Sequence, residues 1–332
     1  MRLIELAGPS GRRVGVVEEP KLRLLGGYES IYDLAQTCIG RDQAIGAEIE
    51  RSISDESLDY DEVYWGRSAW RILPPAGHPD EPARCLVTGT GLTHMASARN
   101  RHSMHGKEED LTDSMRIYRW GVEGGKPPAG TAGAAPEWFY KGCGTILRGH
   151  NAALEIPSYS DDGGEEAEIA VAYLIDLEGT PRRLGFVTGN EFSDHEFERR
   201  NYLYLAASKL RTCSLGPELA IGFDFRSVPG EVSIERGGRV LWRKEIQSGE
   251  SVMSHSLENL EHHHFKFEAH RRPGDVHIHF LGADAFSFGE GVRLHDGDVM
   301  QIRFAGLGRA LRNRVERVPA VNTVIRAQAI RV

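Results

Sequence analysis

In 163-GGEEAEIAVAYLID-176, Glu166 and Glu168 alternate into a run that is almost wholly apolar from Ile169 to Ile175. Such a run reads as a strand buried on both faces, so its two leading carboxylates need a reason to be there. Residues two apart on a strand share a face, about 7 Å apart along the backbone. Two glutamates so placed can converge on one cation, with oxygens roughly 2.0–2.6 Å from it. Without a cation or a strong donor, an ionised carboxylate in a dry site costs several kcal/mol. The competing reading is a wet sheet end with both glutamates solvated.

A second acidic segment follows in 184-LGFVTGNEFSDHEFERRN-201. A strand ending at a glycine delivers Asn190 and Glu191 to its tip. Ser193 then reads as a helix start, with Glu196 three residues on as its capping-box partner. Lys209 lies in 207-ASKLRTCSLGPEL-219, a polar turn before Gly216-Pro217. Were 193–208 one straight helix, Glu191 and Lys209 would stand over about 20 Å apart. A shared site therefore requires the helix to end near Arg200 and 201-NYLYLAAS-208 to run back.

The elements that must position these residues are mostly short strands. Runs at 2–6, 13–19 and 21–25 precede a helix whose Ile31, Leu34, Ala35 and Cys38 share one face. The proline-rich 73-LPPAGHPDEPAR-84 reads as a linker, dividing a small α/β unit (1–82) from a larger domain (83–332). Then come a buried strand, 85-CLVTGTGL-92, a polar segment over 97–114, and a glycine- and proline-rich loop over 121–136. The last two read as the rim or lid of a site. From residue 137 onward strands dominate, with a hairpin at Gly237-Gly238. The expected fold is α+β and predominantly β.

Composition excludes several classes. The chain has 332 residues, is 40% hydrophobic and carries a net charge of −8, so no basic excess supports nucleic-acid or membrane binding. Cys38, Cys85, Cys143 and Cys213 show no paired metal or redox spacing, which suits a reduced, cytoplasmic setting. The opening MRLIELAGPSGRR is too short and too charged for a signal peptide or membrane span.

Taken in order, E-x-E on a strand, GFVTGNEFS, SKLRTCSLGP and the closing 295-HDGDVMQIRFAGLGRALRNRV-315 resemble the fumarylacetoacetate hydrolase family over roughly residues 85–320. PEWFYKG, GNEFSDH and SKLRTCSLGPEL are most similar to its 2-keto-3-deoxy sugar-acid dehydratase branch. The resemblance implies a mixed β-roll, barrel-like catalytic domain, commonly homodimeric. It implies that Glu166, Glu168 and Glu191 hold one divalent ion, Mg²⁺ first, with Mn²⁺ or Ca²⁺ as alternatives. It implies Glu137 and Lys209 as catalytic groups, and Lys141, Asn190, Gly282 and Ala283 near a 2-keto acid substrate. Glu191 stands where the family usually has aspartate, and Ala283 where it has a substrate-contacting threonine.

A 2-keto acid that chelates a hard cation has its C3 proton acidified. A glutamate can then take that proton, a lysine can hold the developing charge, and loss of the C4 hydroxyl completes a dehydration. The same enolate logic serves C–C hydrolysis. Family hydrolases use a His-x-x-Glu lid pair, but His94 is followed three residues on by Ser97; His105 and Glu108 form the pair further along. Dehydration is the expected reaction, acylpyruvate-type hydrolysis or non-catalytic sugar-acid binding the alternatives. The run 261-EHHHFKFEAH-270 reads as a strand with solvent-facing histidines, His277 and His279 as neighbours on one strand face, and TGTGL as no dinucleotide loop.

Overall fold

The computed structural model describes residues 1–105, 112–319 and 324–330. Two mixed sheets carry the fold. The larger has twelve strands, and its centre runs Arg2–Gly8, Cys213–Ala220, Pro181–Asn190, Ala167–Ile175, Val276–Phe280, Cys85–Gly91 and Glu137–Cys143. Most pairings are antiparallel, but Val276–Phe280 lies parallel to Cys85–Gly91. The smaller sheet has five strands, ordered Arg239–Ser248, Val228–Arg236, Val299–Phe304, Leu311–Arg317 and Ala153–Ile156. The larger sheet is open, ending at Ile53–Asp59 on one side and Glu137–Cys143 on the other. The architecture is α+β and predominantly β, as the pattern of short strands implied.

Strand Ala167–Ile175 explains its own sequence. Ala167, Ile169, Val171, Tyr173 and Ile175 point into the core between the two sheets, among Val232, Ile234, Ile302 and Phe304. Ala170, Ala172 and Leu174 point the other way, into a core shared with Leu3, Val87, Ile278 and the helix Ile31–Gly40. Both faces are dry, so alternation is lost and the run is apolar throughout. Glu168 belongs to the second face, at the end where the strand enters the site.

The N-terminal strands continue the large sheet directly, through Arg2 opposite Ala220 and Leu3 opposite Leu219. They also hold a core of their own, with Ile4, Leu6, Leu22, Leu24, Tyr60 and Ile72. The helix face Ile31, Leu34, Ala35 and Cys38 is buried as its spacing requires. The hairpin turns on Gly237 and Gly238, whose φ values of 58° and 77° are open to glycine without strain.

Three local readings are corrected. Much of the segment expected as a loop is helical: Met95–His105 and Asp113–Gly124, the second capped by Thr112. The buried face of that second helix is Ser114, Tyr118 and Gly121, small or polar groups that carry little apolar periodicity. The histidine run is no strand. Leu257–Phe265 is a helix capped by Ser256, and it buries Leu257, Leu260, His263 and His264. Its helical spacing begins four residues before the run whose alternation suggested a strand. Lastly, the helix after Glu191 is capped by Asp194 rather than Ser193, through an Asp194 carboxylate accepting from the Phe197 amide. The Ser193 hydroxyl instead donates to Glu191. That helix does end at Arg200, and the chain turns back through Tyr202–Tyr204 and Leu205–Lys209.

Candidate active site

Glu166 and Glu168 arrive on the lip of the central strand and Glu191 on the tip of its antiparallel neighbour, where Ala167 faces Asn190. One carboxylate oxygen from each lies within 4.8 Å of the others, and all three residues are buried. The returning segment brings Lys209 among them. Its Nζ stands 2.5 Å from Glu166 Oε1 and 2.5 Å from Glu191 Oε2, and it donates to the Ser193 hydroxyl at 3.0 Å. The turn at Arg200 thus does what the spacing of Glu191 and Lys209 demanded.

Lys141 is fully buried behind Glu191. It pairs with Glu191 Oε1 and donates to the carbonyls of Phe192 (2.7 Å) and Lys209 (3.1 Å). Its place is that of a brace for the acidic segment. Asn190 is also a brace: its Oδ1 accepts from the Glu166 amide and its Nδ2 reaches Met300 Sδ in the inter-sheet core. The Gly282 amide donates to Glu168 Oε2 at 2.7 Å. Gly282 has φ of +98°, and a Cβ there would overlap the Thr93 hydroxyl. Gly282→Ala should therefore cost about 1–3 kcal/mol of stability and weaken cation binding with it; a wild-type thermal midpoint in this variant would contradict that reading.

An enclosed cavity has Glu166, Glu168, Lys209, His195 and Glu137 on its polar side. Gly91, Leu92, Phe139, Ala283 and Phe286 form the rest, with Ser97 as the added hydroxyl. Ala283 thus lines the cavity with a methyl group. His105 closes the helix Met95–His105, but its side chain and Glu108 lie outside the described residues.

His195 and Tyr202 were not singled out in the sequence, and Ser97 was named only as the residue that stands where a His-x-x-Glu pair after His94 would need glutamate. His195 Nε2 lies 3.0 Å from Glu166 Oε1, and its ring stacks on Phe286 at 4.8 Å. Its Nδ1 is buried without a hydrogen-bond partner, which favours the tautomer with the proton on Nε2, donated to Glu166. The available signal was position: His195 is the first residue of the helix that follows Glu191.

Electrostatics argue for a missing positive charge. Burial opposes ionisation of Glu166, but the Lys209 ammonium and the His195 hydrogen bond hold its carboxyl well below the usual range. Glu168 goes the other way: burial, then the charges of Glu191 and Glu166, push it well above. Burial also raises Glu191, against the pull of Lys141 and Lys209. Ionised together, the three carboxylates would outnumber the Lys141 and Lys209 ammonium groups they face, with Glu198 a further carboxylate 3.5 Å from Lys209. The surplus is negative, the donors are hard oxygens, and they converge. A divalent cation fits this set, with Glu166, Glu168 and Glu191 as its holders.

No family model matches the chain, and no curated protein matches it by sequence. Solved structures do. A 2-keto-3-deoxyarabinonate dehydratase superposes with a TM-score of 0.72 at 19% identity, covering 96% of this chain and all of that one. A structure of 2-keto-3-deoxy-D-arabinonate dehydratase complexed with magnesium and 2,5-dioxopentanoate matches at 0.70 and 19% identity, over 96% of this chain and 100% of that chain. A 5-carboxymethyl-2-hydroxymuconate delta-isomerase from Mycobacterium smegmatis follows at 0.57 and 18%, again over 96% of this chain and 100% of its own. The chain has the fold of these enzymes. The fold implied by the resemblance to the fumarylacetoacetate hydrolase family is thereby borne out. No helix among the described residues is long and apolar enough to cross a membrane.

Proposed function

We propose that this protein is a metal-dependent hydro-lyase that dehydrates a 2-keto-3-deoxy sugar acid of pentonate size. The observation that carries the reading is the meeting of three buried, mutually close carboxylates with Lys209, beside an enclosed cavity lined by Glu166, Glu168, Lys209 and Glu137. Mg²⁺ is the proposed ion, Mn²⁺ or Ca²⁺ its substitutes. When bound, the cation supplies Lewis-acid polarisation of a keto oxygen.

The chain's own residues supply the rest. Glu137, buried on the cavity wall, takes the C3 proton. Lys209 sets a positive charge against the negative charge that this leaves on the substrate. The C4–O bond breaks as the C3–C4 double bond forms, and the hydroxyl leaves with a proton as water. The enclosure of the cavity excludes bulk water, which strengthens each of these charge interactions. Leu92, Phe139, Ala283 and Phe286 supply apolar wall. We further propose that the protein works in the cytoplasm as a homodimer, that residues 1–82 act as a supporting unit for 83–332, and that Gly282 and Ala283 border the substrate.

The test supplies 2-keto-3-deoxypentonates and Mg²⁺ and traps the semialdehyde product. Turnover that persists at full rate in a chelator would end the reading. Glu168→Gln should lower Mn²⁺ affinity at least about tenfold with the fold retained, read by calorimetry and circular dichroism. Wild-type affinity in that variant would remove Glu168 from the ligand set.

A further inference from the structure

Glu137 is gripped from two sides by groups outside the proposed cation site. On one side the Tyr202 hydroxyl donates to Glu137 Oε1 at 2.6 Å. On the other, Oε2 lies flush against Gly91, so closely that a Cβ at residue 91 would overlap it. A glutamate side chain has three rotatable bonds and many rotamers. The Tyr202 hydroxyl on one side and the Gly91 backbone on the other restrict that choice.

Tyr202 also stands at a boundary. Besides bonding Glu137 inside, it lines an outer cleft with Thr112, Arg116, Arg200 and Asn201. It belongs to the returning segment, whose Leu203 is 84% exposed and whose Tyr204 stacks on Phe197 at 4.4 Å. The same segment ends in Lys209. One short surface strap therefore carries both the donor that orients Glu137 and the ammonium that faces the carboxylates.

We propose that Tyr202 is the positioning residue for Glu137, holding its carboxylate in the one orientation from which it reaches the substrate proton. The inference rests on the proposed role of Glu137 as the proton acceptor. It adds that this role depends on a hydroxyl 65 residues away in sequence, and on the missing side chain of Gly91. Misplacing a reacting group by about 1 Å costs on the order of a hundredfold in rate, while ground-state binding of a 2-keto acid by the other groups is untouched.

Proton abstraction can be read alone, from exchange of pyruvate C3 protons in D₂O by NMR with the Mg²⁺-loaded protein. Tyr202→Phe keeps the ring and removes the donor. Gly91→Ala displaces Glu137 from the opposite side, and its backbone needs no positive φ. Each should slow exchange about 10- to 100-fold, with the pyruvate KM within about twofold, and with Mn²⁺ affinity and thermal midpoint as in the wild type. A purely structural role for Tyr202 would instead lower the midpoint or move KM and rate together. Tyr202→Phe exchanging within about twofold of the wild type, while Glu137→Gln is inactive, overturns the inference and leaves Glu137's role standing. Undiminished exchange in Glu137→Gln overturns that role, and this inference with it.

Discussion

Replacing Lys209 by methionine should lower turnover by about a thousandfold, within the range of a positioned acid–base group. The lysine is 1% exposed and bonds Glu166, Glu191 and Ser193 at once. Methionine keeps most of the volume and none of the charge. In the cation-free protein, Glu166 and Glu191 would each lose a buried counter-charge, which costs about 3–5 kcal/mol when a partner is simply removed. Mg²⁺ or Mn²⁺ should then restore much of the lost stability, because a cation held by the same carboxylates supplies the missing positive charge. Thermal midpoints with and without cation measure this. A variant with near-normal turnover would take Lys209 out of the chemistry, and one whose stability ignores the cation would place the metal elsewhere.

Acid should destabilise the fold through histidines that cannot charge where they are. His279 is enclosed between Thr88 and Thr90, whose hydroxyls lie 2.8 and 2.6 Å from its two nitrogens, and burial lowers its pKa to about 3. His277 is likewise lowered to about 3 by burial, aided by His270. Its Nδ1 faces His264 Nε2 at 2.9 Å, while Trp138 donates to the other nitrogen of His264. Between pH 6.5 and about 3 the unfolded chain binds protons that the folded one refuses. The stability held by these neutral rings is thus complete above pH 6.5 and is lost as pH falls through that window. At pH 5 each ring costs about 2 kcal/mol. Glu5, Glu165 and Glu168, whose pKa values burial raises, pull in the opposite direction. The histidine share is therefore read as a difference: His279→Gln should lose about 2 kcal/mol less than the wild type between pH 7.5 and pH 5, from urea midpoints. Equal losses would show that His279 charges as freely in the folded protein as in the unfolded one.

How much of this was legible beforehand follows from how local each feature is. The apolar run after Glu168 announced a strand dry on both sides, and packing on two cores is why it reads that way. The separation of Glu191 and Lys209 required a broken helix, and Arg200 is where it breaks. The histidine run misled because its alternation over His263, Phe265 and Phe267 is short, whereas the helix that contains it starts at Leu257. The helix Asp113–Gly124 was hidden because its buried face uses Ser114 and Gly121 beside Tyr118, and His255 packs closely against Gly121.

What the amino-acid order determined by itself was which residues share a face and where the chain must turn, since both depend on neighbours within one or two turns or pleats. Only the tertiary structure decided that Lys141 sits behind Glu191, that His195 bonds Glu166, and that Tyr202 and Gly91 close on Glu137. Those contacts join segments tens of residues apart, and their geometry comes from strand register and sheet order, which no local period encodes.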